Sequence, residues 1–429
     1  MNRSPISRGM VPTLLAIWLS FAASAAHAAE GTIKVGVLHS LSGNMAISEA
    51  VLKDTVLMLI ADQNKKGGLL GKQLEPVVVD PASDWDMFAE KAGELLTRDR
   101  VAVVFGGWTS LSRKAALPIF EQMNGLLYYP VQYEGEESSR NIFYLGATPS
   151  QQAIPAVRYL MSKEGGNIRR WVLLGTDYLY PRKTNQILSA YLATEGVSPE
   201  DITTIYASPN QSDWREIVES VRAFAAGGKK TAVISTVIGN SNTDLYGEWA
   251  KQRIDASKIP VMALSASERE LRGVDLTKLV GLTATRSYFQ SVQSAENAAF
   301  VKMWADFNEQ RDKTTDDPME ATFIGFRMWV QAVSQAGTTD VNAVRQAMYG
   351  QRLRTPSGFE VVMNTNHHLS KPAIVGKLDT TGTFDVVWRS ISPIKASVWS
   401  RYLPGSARRV ADWTFPWICG GCTEPTFKD

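Results

Sequence analysis

The chain has 429 residues, 44% of them hydrophobic and 21% charged, with a formal net charge of +2. That length exceeds one ordinary core and predicts two domains. Lys and Arg are scattered among Asp and Glu, which offers no basis for a protein held to nucleic acid or to an anionic membrane by bulk charge.

At the N-terminus, Arg3 and Arg8 precede an apolar run from Val11 to Ala25, and Ala26-His27-Ala28 follows. A positive segment, an apolar segment and an A-x-A site make a secretory signal peptide, with cleavage expected after Ala28. The run is shorter than the ~20 apolar residues that a membrane span needs. No Cys stands at the cleavage point to carry a lipid. Residues 1–28 are therefore expected to leave, and the mature protein to be soluble in the periplasm.

Strand and helix then alternate. Ile33–Leu38 is a β-rich run ending in His39 and the polar loop Ser40–Gly43. A helix is expected from Ser48 to Asn64, since Val51, Leu52, Thr55, Val56, Leu59 and Ile60 share one broad face, and Gly67-Gly68 stops it. Strand Glu75–Val79, helix Met87–Thr97, strand Val101–Phe105, a helix to Met123 and strand Gly125–Tyr129 follow. After Ala147-Thr148-Pro149 the pattern resumes. Helix Gln151–Lys163 leads to strand Trp171–Leu174, which is expected to break at Gly175. Tyr178 and Tyr180 come next, and Pro181 is placed to open a helix, where its missing N–H costs nothing. Strands Thr203–Tyr206, Thr231–Thr236 and Pro260–Leu264 alternate with helices Trp214–Ala226 and Asn242–Lys251, and a short helix is expected over Ser267–Leu271. From Glu296 to Tyr349 helices dominate, Pro318–Ala336 among them. The β runs Phe359–Met363, Ala373–Leu378 and Phe384–Trp388 close the pattern. Short, continuously apolar strands between helices predict an α/β fold of two Rossmann-like lobes with parallel sheets. The expected lobes are 29–148 with 287–363, and 149–286 with 364–429, joined by three crossings near 147–150, 284–288 and 362–370.

Catalytic signatures are missing from the sequence. It has no G-x-G-x-x-G, P-loop, G-x-S-x-G or H-E-x-x-H. Of four histidines, His27 leaves with the signal peptide and His39 ends the first strand. His367-His368 has no carboxylate or cysteine beside it to complete a metal site, so both are expected to be solvated turn residues. The two cysteines, Cys419 and Cys422, form a C-x-x-C in a Trp/Pro/Gly-rich tail. In an exported chain that spacing favours a small disulfide loop over a redox or zinc motif.

What remains is a set of loops at the carboxyl ends of strands, where open α/β sheets bind ligands. Ser40–Gly43, Trp108–Ser110, Tyr129–Glu134, Thr176–Tyr180, Gly239–Asn242 and Ser265–Glu268 fall at corresponding points of the two units. They are aromatic and polar but weakly charged, which suits a small neutral polar ligand. An amino-acid ligand calls for a cation at its carboxylate, and the nearest ones, Arg113 and Arg182, each lie a turn into a helix.

In these same loops the chain resembles the urea and short-chain-amide branch of the substrate-binding proteins of ABC transporters, within the leucine/isoleucine/valine-binding group. The likeness rests on Lys34–Gly43, Trp108-Thr109-Ser110, Tyr129–Glu137, Asp177-Tyr178, Tyr180-Pro181-Arg182, Asp317–Glu320 and Asn366–Leu369. The resemblance implies a type 1 periplasmic binding fold, a ligand held in the interlobe cleft, and delivery to membrane permease subunits. By position it implies ligand contacts from Trp108, Ser110, Tyr129, Val131, Gln132, Tyr178 and Tyr180, and further ones from Asn240, Ser265 and Glu268. It implies no catalytic residue, metal or cofactor. The chain departs from that branch at Ile238-Gly239-Asn240-Ser241-Asn242, where Asn-Gly-Asp-Ser-Asn is usual, and at Gly107, where Cys is usual. Tyr hydroxyls, Gln132, Asn240 or Glu268 are expected to accept the ligand's N–H groups, with Ser110 or a backbone N–H donating to its carbonyl. The competing functions are an amidase, for which no nucleophile–base pair is evident, a receptor for a branched-chain amino acid, and a periplasmic sensor using the same cleft.

Overall fold

Five strands, β1 (Ile33–Leu38), β2 (Leu74–Val79), β3 (Val103–Gly106), β4 (Leu127–Tyr129) and β5 (Ile142–Tyr144), lie parallel in the order β2-β1-β3-β4-β5. They form the first sheet of the computed structural model, which describes Met1 and residues 31–209, 211–271 and 273–406. The returns run through α1 (Ala46–Lys65), α2 (Trp85–Thr97) and α3 (Ser110–Gln122). Asp84 opens α2 by accepting the N–H groups of Asp86 and Met87, and Thr109 opens α3 by accepting that of Ser112. Each side chain satisfies donors that a first helical turn leaves without partners.

A second sheet follows α4 (Ala153–Met161). It contains β6 (Arg170–Thr176), β7 (Ile202–Ala207), β8 (Thr231–Thr236), β9 (Val261–Ala263) and β10 (Thr283–Arg286), with α5 (Leu179–Thr194), α6 (Arg215–Ala225) and α7 (Ser241–Lys251) between them. The chain next builds α8 (Ala295–Phe307), α9 (Asp317–Ala336) and α10 (Val341–Met348). A small antiparallel sheet, β11 (Arg352–Arg354), β12 (Glu360–Met363) and β13 (Leu369–Ser370), comes after them. The hairpin of β14 (Ile374–Leu378) and β15 (Phe384–Arg389) then joins the second sheet antiparallel to β10, giving the order β15-β14-β10-β9-β8-β6-β7.

Packing explains why the strands read as unbroken apolar runs. In β6, Val172 and Leu174 face one buried cluster, while Trp171 and Leu173 face another on the opposite side of the sheet. Successive side chains point to opposite faces, so both must be apolar when both faces are covered. In the first sheet, Val35, Val37, Phe105, Tyr128 and Phe143 share one core with Phe300, Trp304, Met319, Trp329 and Met348 of α8–α10. The late helices thus cover the early sheet. The chain passes between the sheets three times: after β5, after β10 and after β13.

The structure corrects several expectations. Strand β6 does not break at Gly175 but runs to Thr176, and α5 begins at Leu179, two residues before Pro181. Ser267–Leu271 is a turn over residues 268–271 rather than a helix. Strands β5, β10, β11 and β13 were not expected; each has only two to four residues, too few to show a period. His367 and His368 are buried, not solvated. The expected signal peptide and the Cys419–Cys422 loop lie outside the described residues. Among the described residues no helix is long and apolar enough to cross a membrane.

Candidate functional site

Gly175 is where the site begins. A Cβ there would stand 2.5 Å from Thr236 Oγ1 and 2.7 Å from Pro181 Cβ. The glycine therefore permits close packing of the first turn of α5 on the sheet, rather than a break in the strand. Tyr178, extended at the start of α5, crosses to the first sheet's side. Its hydroxyl accepts the backbone N–H of Ser110, and that of Leu111 at 3.3 Å, at the N-terminus of α3. Those are unpartnered donors of a helix start. With its oxygen so engaged, the phenol has its own proton to donate.

Beneath this contact lies an inner cavity lined by Trp108, Ser110, Val131, Gln132, Tyr178, Tyr180 and Ser265, together with Glu270. These are seven of the ten residues expected to touch ligand. It offers about 20 Å³ to the centre of a water-sized sphere, where a single water needs ~10–15 Å³. Among the described residues that line it, none is Lys or Arg. Gln132 spans the cleft, its amide nitrogen 3.4 Å from Ser265 Oγ and 3.5 Å from the Leu264 carbonyl. Ser265 Oγ donates in turn to Tyr180 at 3.4 Å.

Three expected contacts stand elsewhere. Tyr129 is fully buried behind the cavity, and its hydroxyl donates to the Trp108 carbonyl at 2.5 Å, holding that loop in place. Asn240 is exposed and lines a separate, outer cavity. Glu268 pairs with Arg286 at 2.8 Å. Because Ser267–Leu271 turns instead of forming a helix, Glu270 takes the place expected of Glu268. Its Oε2 accepts the Ser267 N–H at 2.8 Å. Burial lifts the Glu270 carboxyl to about 7 against that hydrogen bond and the Arg286 charge.

Ser110 does not play the donor role expected of it. Its hydroxyl donates to Glu134 Oε2 at 2.5 Å, so its oxygen faces the cavity as an acceptor. Behind it, Arg113 is wholly buried and reaches Glu134 at 3.2 Å and Glu137 at 2.8 Å. Lys114 also reaches Glu137 at 2.8 Å. Burial alone would raise the Glu137 carboxyl, but Arg113 and Lys114 outweigh it and bring the group down to about 2. The guanidinium also lies 4.7 Å and 4.5 Å from the ring centres of Tyr129 and Tyr133.

From there the network reaches the third crossing. Tyr133 and His368 share a hydrogen bond of 2.5 Å, and Tyr144 stacks on His368 at 4.5 Å. His367 sits between the Ile142 carbonyl at 3.0 Å and the Tyr349 hydroxyl at 2.7 Å. Burial lowers His367 to about 4 and His368 to about 3, so both are neutral rings at neutral pH. Among the described residues no cluster of three or more His, Cys, Asp or Glu is placed to hold a metal.

The outer cavity opens at the mouth of the cleft and is far larger, about 710 Å³. Met45, Ser83 and Trp85 line it from one side, and Arg182, Tyr206 and Asn240 from the other. Tyr178, Thr109, Ile238 and Gly239 divide it from the inner one.

A family model described as periplasmic binding protein domain matches residues 33–405, both sheets included. The chain belongs to that family. Solved structures of similar fold include a solute-binding protein of an ABC transporter from Rhodopseudomonas palustris in complex with p-hydroxybenzoic acid. It is 18% identical, with a TM-score of 0.74 over 85% of this chain and 98% of that one. A branched-chain amino acid binding protein from Streptococcus pneumoniae in complex with isoleucine is 17% identical, with a TM-score of 0.70 over 84% and 99%. A leucine-binding protein from Thermotoga maritima is 14% identical, also with a TM-score of 0.70 over 84% and 99%. At these identities the likeness carries the type 1 periplasmic binding fold. A curated protein called limonene hydroxylase, from Geobacillus stearothermophilus, is 34% identical over 110 residues. That match spans 26% of this chain and about a fifth of the relative's length. The family is one of periplasmic binding protein domains, and the neighbour bound to p-hydroxybenzoic acid is itself a solute-binding protein of an ABC transporter.

Proposed function

We propose that this chain is an exported receptor that captures urea or a short-chain amide in the inner cavity and delivers it to the permease of an ABC transporter. The observation that carries the reading is the inner cavity's small size and its lack of a cation. About 20 Å³ holds one or two waters, so a solute of a few heavy atoms asks the walls to give only slightly. A ring or a branched side chain would require the walls to part. A carboxylate would meet Glu270 with no described Lys or Arg in the lining, and a buried charge without a partner is costly. The tyrosine hydroxyls can donate to a carbonyl, and Ser110 Oγ can accept an N–H. The lobes, 29–148 with 287–363 and 149–286 with 364–429, would close by a hinge at the three crossings. The ligand favours the closed form because it touches Ser110 on one side and Tyr178 and Tyr180 on the other.

A second reading has its own support. The outer cavity has the volume for a larger solute, and Arg182 and Lys183 lie on its wall. A branched-chain amino acid or a hydroxybenzoate, as held by the structural neighbours, would fit there.

Calorimetric titration of the mature chain from Ala29 tests both readings, using urea, formamide, acetamide, leucine and p-hydroxybenzoate. Saturable binding of urea or an amide, weakened by Trp108→Ala and by Tyr178→Phe, is the expected result. Binding of leucine or p-hydroxybenzoate alone would reject the amide reading.

A further inference from the structure

We infer that Glu270 is the residue that sets specificity within the inner cavity, selecting diamino carbonyl compounds of the urea class over alkyl amides; this rests on the inner cavity being the ligand site.

The pattern of donors and acceptors carries the inference. On the first lobe, Ser110 has committed its proton to Glu134, so its oxygen, which already accepts Arg113 Nη1 at 3.4 Å, can only accept from a ligand, with one lone pair left for it. On the second lobe, Glu270 comes from the turns after β9 and is 8% exposed. Its Oε2 receives the Ser267 N–H at 2.8 Å and Asn242 Nδ2 at 3.5 Å. A carboxyl has up to about four lone-pair positions and keeps acceptor capacity even when it carries a proton, so these two donors leave room for a third. Asn242 Oδ1, beside it, is buried without a hydrogen-bond partner. Acceptors therefore stand on both lobes. The donors are Tyr178, whose oxygen is taken by two backbone N–H groups, and Tyr180, whose oxygen is taken by Ser265.

Urea matches this arrangement, with one carbonyl flanked by two amino groups. Acetamide puts a methyl group where the second acceptor waits. A site built to meet a ligand's N–H rejects the analogue lacking it, because a buried polar group is left unpaired. A carboxylate is rejected more strongly, since no described Lys or Arg lines the cavity to pair with it and an ionised Glu270 sets like charge against it.

The test is calorimetric titration of the mature wild-type chain and of Glu270→Gln with urea and with acetamide. The wild type is expected to bind urea at least ~10-fold tighter than acetamide. Glu270→Gln is expected to lose most of that preference, weakening urea while leaving acetamide nearly unchanged. Glu270→Asp, which keeps the charge but withdraws it by one methylene, serves should the glutamine variant not fold, with the same loss expected. Equal wild-type affinities for the two ligands would overturn the role of Glu270 while leaving the amide reading intact. So would an undiminished preference in a folded variant. Silence toward both ligands would overturn the amide reading and this inference with it.

Discussion

The hydroxyl of Tyr178 receives the backbone N–H of Ser110, so a side chain from one lobe caps a helix of the other. Tyr178→Phe removes that acceptor from α3 and a donor from the inner cavity at once. A hydrogen bond of this kind contributes ~0.5–1.5 kcal/mol, and three are lost, from the Ser110 and Leu111 N–H groups and to the ligand. We expect ligand affinity to fall ~10-fold or more, with the ligand-free protein adopting a larger radius of gyration. Calorimetry and small-angle scattering measure the two effects. An unchanged affinity and an unchanged radius together would remove Tyr178 from both roles.

Arg113→Met should be among the most damaging substitutions in the chain. It leaves Glu134 and Glu137, both fully buried, without their shared guanidinium. Breaking a buried ion network by deleting one partner costs ~3–5 kcal/mol. Guanidinium chloride denaturation would show it as a lowered midpoint; urea is unsuitable as the denaturant for a proposed urea receptor. A loss of less than about 1 kcal/mol would mean that the two carboxylates reach solvent or protonate without cost.

The pH profile of stability should be flat between about 6.5 and 4.5 and then drop. His367 and His368 are lowered from 6.5 to about 4 and 3, chiefly by burial. The unfolded chain takes up their protons first, so their contribution is lost as pH falls below 6.5. Burial also raises Glu270 and Glu320 from 4.5 to about 7. Their contribution runs the other way, complete below 4.5 and lost as pH rises through 7. Arg286 and Asp316 act on Glu270, and Lys371 and Asp317 on Glu320. The two pairs oppose one another across the shared window. Below 4.5 the carboxyl pair has no more to give, while His368 and the depressed Glu137 continue to lose. Thermal melts from pH 7.5 to 3.5 test this. A steep fall beginning at 6.5 would contradict the cancellation, whereas Glu270→Gln should produce such a fall by removing one opposing group.

Urea should bind with a dissociation constant no tighter than tens of micromolar. A four-heavy-atom ligand at a ceiling of ~1.5 kcal/mol per atom reaches about −6 kcal/mol. A nanomolar constant measured by calorimetry would mean that the cavity holds something larger, or that closed lobes before binding contribute more than contacts to the ligand do.

Much of this was readable from residues alone. Alternating apolar runs and helical faces fixed two α/β units, and Trp108, Ser110, Gln132, Tyr178 and Tyr180 stand together because each follows the carboxyl end of a strand. The sequence points to Glu268 where Glu270 stands, since an irregular turn has no period from which to tell which carboxylate faces inward. His367 and His368 looked like turn residues because sequence shows their polarity but not the rings of Phe143 and Tyr144 stacked on them. The direction of the Ser110 hydrogen bond depended on Glu134, 24 residues away, and no local pattern announces that pairing.

The small inner cavity has a consequence for timing. If the inner cavity is the ligand site, the Tyr178–Ser110 contact lies across its rim, and a solute held there would leave as the lobes separate. The dwell time of such a solute would then follow the opening rate rather than the strength of any single contact. A membrane partner that pries the lobes apart would discharge the cargo without competing for it.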